Sequence, residues 1–173
     1  MERISYTSRI CSDEKKINNF LIQKRVGVLG MCDKEGMPYS IPVNYIYEDG
    51  KVYIHGMGSG KKNSILKEKS SVCFTIFEEF GTVKDSVPCK CDTSYFSVVI
   101  FGKAVLVENL EEKAKILTLI ADKFVPGFFK NALSKEFIAK YHSSRDNNTT
   151  AVYCIFPEDI TAKENPVDMG NMV

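Results

Sequence analysis

The apolar and polar positions of this chain fall into short blocks of two kinds. One kind repeats about every 3.6 residues and the other alternates or runs continuously apolar, the marks of helix and strand. Residues 13–24 place Ile17, Phe20 and Leu21 on one helical face, with Ser12 as the expected N-cap and Asp13 and Glu14 in the first turn. Residues 25–31 form a short apolar strand and residues 33–37 a turn. Residues 39–47 are apolar or aromatic except for Ser40 and Asn44. Glu48-Asp49-Gly50 carries the Asp-Gly pair that supplies positive φ in tight hairpins, and residues 51–55 then alternate. Residues 38–55 therefore read as a β-hairpin that ends at His55.

A short helix follows over residues 61–69, anchored by Ile65 and Leu66, and then a β-branched strand over 71–77. Residues 78–94 are polar and read as a long irregular connection. The longest strand pattern, 95–107, holds Gly102 in its middle, where a bulge or a close backbone approach is expected. Asn109 and Glu112 resemble a capping box, opening a helix with Leu110, Ala114, Leu117, Ala121 and Phe124 at helical spacing. Pro126-Gly127 ends it. A second helix spans 134–141, a loop 146–149 and a last strand 150–156. The tail 157–173 is polar, with Met169, Met172 and Val173 as isolated apolar ends. Strands of varied length with few helices predict a mainly β fold, a closed or nearly closed antiparallel barrel rather than a βαβ array.

Composition narrows the function classes. The chain has 173 residues, 44% hydrophobic and 26% charged, enough for one well-buried core. The expected organisation is a single domain over 1–173, with a core of about 9–156. A formal net charge of +1 leaves no global field for nucleic acid or an anionic membrane. No apolar run approaches the ~20 residues of a spanning helix, and the first residues lack the apolar core of a signal peptide, so the expected location is the cytoplasm. Of six cysteines, Cys73 and Cys154 lie in strand patterns and are expected in the core. Cys89-Lys-Cys91 is tighter than a zinc knuckle and has no second pair, so no structural zinc is expected.

The chemistry concentrates after the hairpin. Gly56-Met57-Gly58-Ser59-Gly60-Lys61-Lys62 fails both as a Walker loop and as a Rossmann fingerprint. It still offers bare amides, a hydroxyl and two ammonium groups at a helix start. Two cations there oppose the helix dipole, a conflict that a bound phosphate removes. His55 beside it is either a packed rim histidine or a proton donor or cofactor contact. Ser97 either faces solvent or bonds a heterocycle in a cleft. His142 has no chemical neighbours in sequence and reads as inert. Phe128 and Phe129 are candidates for covering a site.

In their order and spacing, 39–47 (YSIPVNYIY), His55 followed by Gly60-x-Lys62, Phe96-Ser-Val with Gly102, and Glu111-Glu-Lys113 resemble a known family. It is the pyridoxamine 5'-phosphate oxidase-related FMN-binding split β-barrels, and within them the 5-nitroimidazole resistance (Nim) proteins. The likeness runs from about residue 9 to 156. It implies a six-stranded antiparallel split barrel with flanking helices, a homodimer, and FMN at the subunit interface. Gly60, Lys61 and Lys62 would hold the phosphate. Pro42, Val43 and Asn44 would border the ring or ribityl chain through backbone and side chains. His55, Gly56 and Met57 would line the same cleft, Ser97 would reach the flavin ring, and His55 would be catalytic. The basic C-terminal residues that hold the vitamin phosphate in true pyridoxamine phosphate oxidases have no match here, so vitamin oxidation is not expected. The expected function is an FMN-dependent oxidoreductase, nitroimidazole reductase-like, passing electrons from a reduced nicotinamide nucleotide to a small acceptor. The alternative is a non-catalytic flavin or haem binder acting as a store or sensor, since related barrels also use haem or deazaflavin.

Overall fold

The computed structural model describes residues 6–144 and 147–166. Six strands close an antiparallel barrel in the order β1-β2-β3-β6-β5-β4: β1 Val26–Cys32, β2 Pro38–Glu48, β3 Lys51–Met57, β4 Ser71–Val83, β5 Asp92–Leu106 and β6 Thr150–Asn165. Among the described residues four helices flank it: α1 Glu14–Gln23, α2 Lys61–Glu68, α3 Leu110–Phe124 and α4 Lys135–Lys140. The barrel is filled by inward positions of every strand, among them Leu29, Tyr45, Ile54, Phe74, Val98, Ile100 and Ile155. Each fully buried side chain of this size stabilises the fold by about 1.5–3 kcal/mol relative to exposure. Phe20 and Leu21 of α1 join this core at one end, where the Tyr45 hydroxyl donates to the Leu21 carbonyl at 2.9 Å. Ile65 and Leu66 of α2 join it too, and α2 begins beside Tyr39 at the start of β2. A second core lies outside the barrel wall, where α3 covers Ile46, Tyr53, Val152 and Cys154.

The hairpin turn has Asp49 at φ 49° and Gly50 at φ 74°, the left-handed pair that Asp-Gly was expected to supply. Gly102 sits at a register shift between β5 and β6, and a Cβ there would strike the Phe156 carbonyl. α3 is capped as expected, with the Asn109 side chain accepting from the Glu112 amide at 2.9 Å.

Four local expectations are corrected. The α1 cap is Asp13, whose carboxylate accepts from the Lys16 amide at 3.0 Å, rather than Ser12. The polar stretch 78–94 is not a long loop: β4 runs to Val83, β5 starts at Asp92, and a bulge between Glu79 and Gly81 carries the ladder outward. β6 does not stop at Phe156 but pairs with β5 as far as Asn165. In both places backbone pairing to β5 holds polar residues in a strand, so hydropathy alone understates it. Cys73 lies opposite Gly30 and is half-buried rather than in the core, whereas Cys154 is buried. Residues 145–146 and 167–173, which include Asp146 of the expected loop and the apolar ends of the tail, lie outside the described residues.

Candidate cofactor cleft

The barrel is closed unevenly. β2 pairs with β3 only from Tyr45 to Glu48, against Ile54 to Lys51. The first half of β2 pairs with β1 alone, and His55, Gly56 and Met57 of β3 pair with β6 alone. The two strands part here, which is the split in the barrel. Pro42 stands in the half of β2 with one unpaired side, where a missing amide is tolerated. Pro42 and Asn44 are exposed and alternate with Ile41 and Val43, which pack toward the barrel core. Val43 differs from its two neighbours in packing a partly buried side chain against the barrel core.

α2 begins at this split. Its N-cap, Gly60, has φ 91° and no side chain caps the first turn. A left-handed residue is what allows the chain to leave β3 and enter the helix so abruptly. Lys61 is exposed, with its ammonium 4.6 Å from the centre of the Tyr39 ring. Lys62 folds back: a Cβ on Gly56 would collide with its ammonium. That ammonium is half-buried and has no carboxylate partner among the described residues. Burial holds the Lys62 pKa below its ordinary value. His55 is likewise lowered, first by burial and then by the positive charge of Lys62. Its Nδ1 is buried without a hydrogen-bond partner.

Asn63 shapes this loop and was not singled out from the sequence. It is 2% exposed, and its amide donates to the carbonyls of Met57 at 2.5 Å and Ser59 at 3.0 Å. A polar residue directly after the lysine pair was the available signal. Gly58 packs so closely on Thr149 that a Cβ would lie 2.6 Å from its carbonyl oxygen. His55, Gly56, Met57, Gly60, Lys61 and Lys62 are thus brought together at one mouth, with Pro42 and Asn44 on the strand that parts from β3.

Ser97 is not brought there. It pairs with Phe77 and Lys163, and its hydroxyl is 3.5 Å from the Lys163 carbonyl. His55 pairs with Val152, eleven residues earlier on β6, on the order of 30 Å along the strand. Ser97 instead shares the outward face of β1, β4 and β5 with Val26, Val28, Thr75 and Phe77, a face that Pro42 and Asn44 continue. Phe77 is 65% exposed there and Val26 51%. His142 is exposed and its Nδ1 lies 3.0 Å from the Lys140 carbonyl. Among the described residues no three His, Cys, Asp or Glu side chains form a metal-binding group, and no helix is long and apolar enough to cross a membrane.

The family model described as pyridoxamine 5'-phosphate oxidase matches residues 13–164. The chain belongs to this family. Among solved structures it is similar to a candidate 5-nitroimidazole antibiotic resistance protein from Bacteroides thetaiotaomicron VPI-5482, with 25% identity, 89% of this chain and 85% of that one covered, and a TM-score of 0.67. It shares its fold with the flavocytochrome Anf3 from Azotobacter vinelandii, at 20% identity, 98% and 77% coverage and a TM-score of 0.76. It shares it also with an FAD and haem binding protein from Mycobacterium smegmatis, at 16% identity, 94% and 77% coverage and a TM-score of 0.72. No curated protein matches the sequence.

Proposed function

We propose that the protein is an FMN-dependent oxidoreductase, nitroimidazole reductase-like, that takes electrons from a reduced nicotinamide nucleotide and reduces a small acceptor. The observation that carries this reading is Lys62. A half-buried ammonium with no carboxylate partner costs solvation free energy that a phosphate would offset. No side chain caps the first turn of α2, which carries both lysines, and amides at such a helix start suit an anion. Lys61, Lys62 and Gly60 would hold the phosphate; Pro42, Asn44 and the backbone of Val43 would border the rest of the cofactor, with Gly56 and Met57 opposite. When bound, the flavin supplies the redox chemistry, and the protein positions it and sets its electrostatics. His55 is held neutral near pH 7 by burial, so it can offer one N–H and one lone pair to a substrate. The reading includes a homodimer: Ser97 lies far from its own chain's His55 and would reach a flavin across a subunit interface. A cytoplasmic setting fits six free cysteines, two of them exposed close together at Cys89 and Cys91.

The test is the visible spectrum of the freshly purified protein, followed by FMN titration of the apoprotein. A flavin spectrum and FMN binding are expected. Lys62→Met should weaken FMN by about ten- to a hundredfold, the equivalent of one charge-assisted contact worth about 1.5–3 kcal/mol. A Soret band, or a colourless protein that FMN does not bind, would sink the assignment. Bound FMN without turnover of reduced nicotinamide nucleotides and nitro or quinone acceptors would favour a store or sensor.

A further inference from the structure

Of the side chains that α2 buries, Ile65 and Leu66 are apolar and Asn63 is not. Asn63 stands in the first turn, directly after Lys61 and Lys62, and is as far removed from water as its apolar neighbours. Its side chain reaches back out of the helix to the carbonyls of Met57 and Ser59, on the segment that joins β3 to α2. Two carbonyls converge on one atom, which is therefore the amide nitrogen with its two hydrogens. Both hydrogens are used, while Oδ1 of the same amide is buried without a partner among the described residues. A helix by itself gives no reason for this arrangement. Asparagine is a poor helix former, and a buried acceptor left unpaired destabilises the fold. What the two donated bonds hold supplies the reason.

They fix the segment from one side. On its other side Gly58 packs so closely on Thr149 that a Cβ would meet the Thr149 carbonyl. Residues 57–59 are thus gripped between Asn63 and the chain leading into β6. Gly60, Lys61 and Lys62 follow directly, so their placement depends on where this segment lies. We infer that Asn63 is a positioning residue of the cofactor cleft. By holding the Met57 and Ser59 carbonyls it sets Gly60, Lys61 and Lys62 for a phosphate, and so governs how strongly the cleft prefers a phosphorylated flavin to the unphosphorylated one; this rests on the flavoprotein reading above. The role requires two N–H donors at position 63. Asn63→Asp keeps the shape but replaces both donors by acceptors that repel the carbonyls. Asn63→Ser can still reach the Ser59 carbonyl, four residues back, but not that of Met57.

The test titrates FMN and riboflavin, which differ only in the phosphate, into the apoprotein and takes the ratio of their affinities. Loss of a residue that merely supports the fold would lower the melting temperature and weaken both flavins alike, leaving the ratio where it was. Asn63→Ser should lower the ratio by about three- to tenfold, as expected for one lost neutral hydrogen bond, and Asn63→Asp should lower it further. Gly58→Ala displaces the same segment from its other side and should lower the ratio with Asn63 intact. If Asn63→Asp melts early, Asn63→Ser and Gly58→Ala carry the test. An unchanged ratio in folded Asn63→Ser would overturn the inference, whatever happens to its melting temperature. A wild-type protein that binds riboflavin as tightly as FMN would overturn it too, and would leave the flavoprotein reading standing. A wild-type protein that binds neither flavin would remove that reading and the inference with it.

Discussion

At the scale of single residues, the cleft depends on groups whose surroundings conflict with their charge. Gly56 shows how narrow the tolerance is. A methyl there meets only the flexible end of Lys62, so Gly56→Ala should fold normally yet displace the ammonium. We expect an unchanged melting temperature and FMN affinity lowered by about tenfold, measured by fluorescence titration. His55 gives a pH signature. Its folded-state pKa lies below the ordinary 6.5, so the unfolded chain takes up the proton first as pH falls. The stability that comes with a neutral His55 is complete above about pH 6.5 and is lost as pH drops through the folded value. Denaturant melts from about pH 7 to 5 should show wild type losing stability faster than His55→Leu. Parallel curves for the two proteins would show that His55 is not desolvated as described.

At the scale of elements, strand pairing rather than side-chain hydropathy decides the ends of β4, β5 and β6. Ser94 is fully buried and its hydroxyl donates to the Asn165 carbonyl at 2.9 Å, while the Asn165 amide donates to Thr93 at 2.7 Å. These polar contacts lock the far end of the β5–β6 ladder in a stretch that reads as loop and tail. Gly102 marks the other critical point of the same ladder. Here an added methyl meets backbone, the carbonyl of Phe156, and nothing flexible can give way. Gly102→Ala should therefore cost about 1–3 kcal/mol, a fall of several degrees in melting temperature, in contrast to Gly56→Ala. Equal melting temperatures for the two alanine variants would contradict this account of the bulge.

At the scale of the whole molecule, the outward face of β1, β4 and β5 is the feature that a single chain leaves unexplained. Val26, Val28 and Phe77 are exposed on it, and Ser97 sits among them. Contiguous exposed apolar surface of this kind marks an interaction site. In the dimeric reading, Phe77→Glu places a charge at the centre of the interface and should give a monomer by sedimentation. Because the cofactor would be shared between subunits, that monomer should also lose FMN. A Phe77→Glu protein that stays dimeric, or a monomer that keeps its flavin, would remove the link between assembly and cofactor.

The local pattern alone determined the hairpin, the β-rich architecture, the helix start at Asn109 and the special role of Gly102, because turn chemistry, strand period and capping act over a few residues. The cluster of His55 with Gly60, Lys61 and Lys62 was legible for the same reason: those residues are neighbours in the chain. Four things were decided only by tertiary structure. The split between β2 and β3 depends on where pairing stops, which no local pattern encodes. The inward turn of Val43 depends on the register of β2 against β1. The distance of Ser97 from His55, and the cavity that α3, Phe129 and α4 build over His55, depend on elements far apart in sequence meeting across the barrel wall. His55 illustrates the division: its position at the end of a strand is local, but α3, Phe129 and α4 come to lie beside it only in the folded chain.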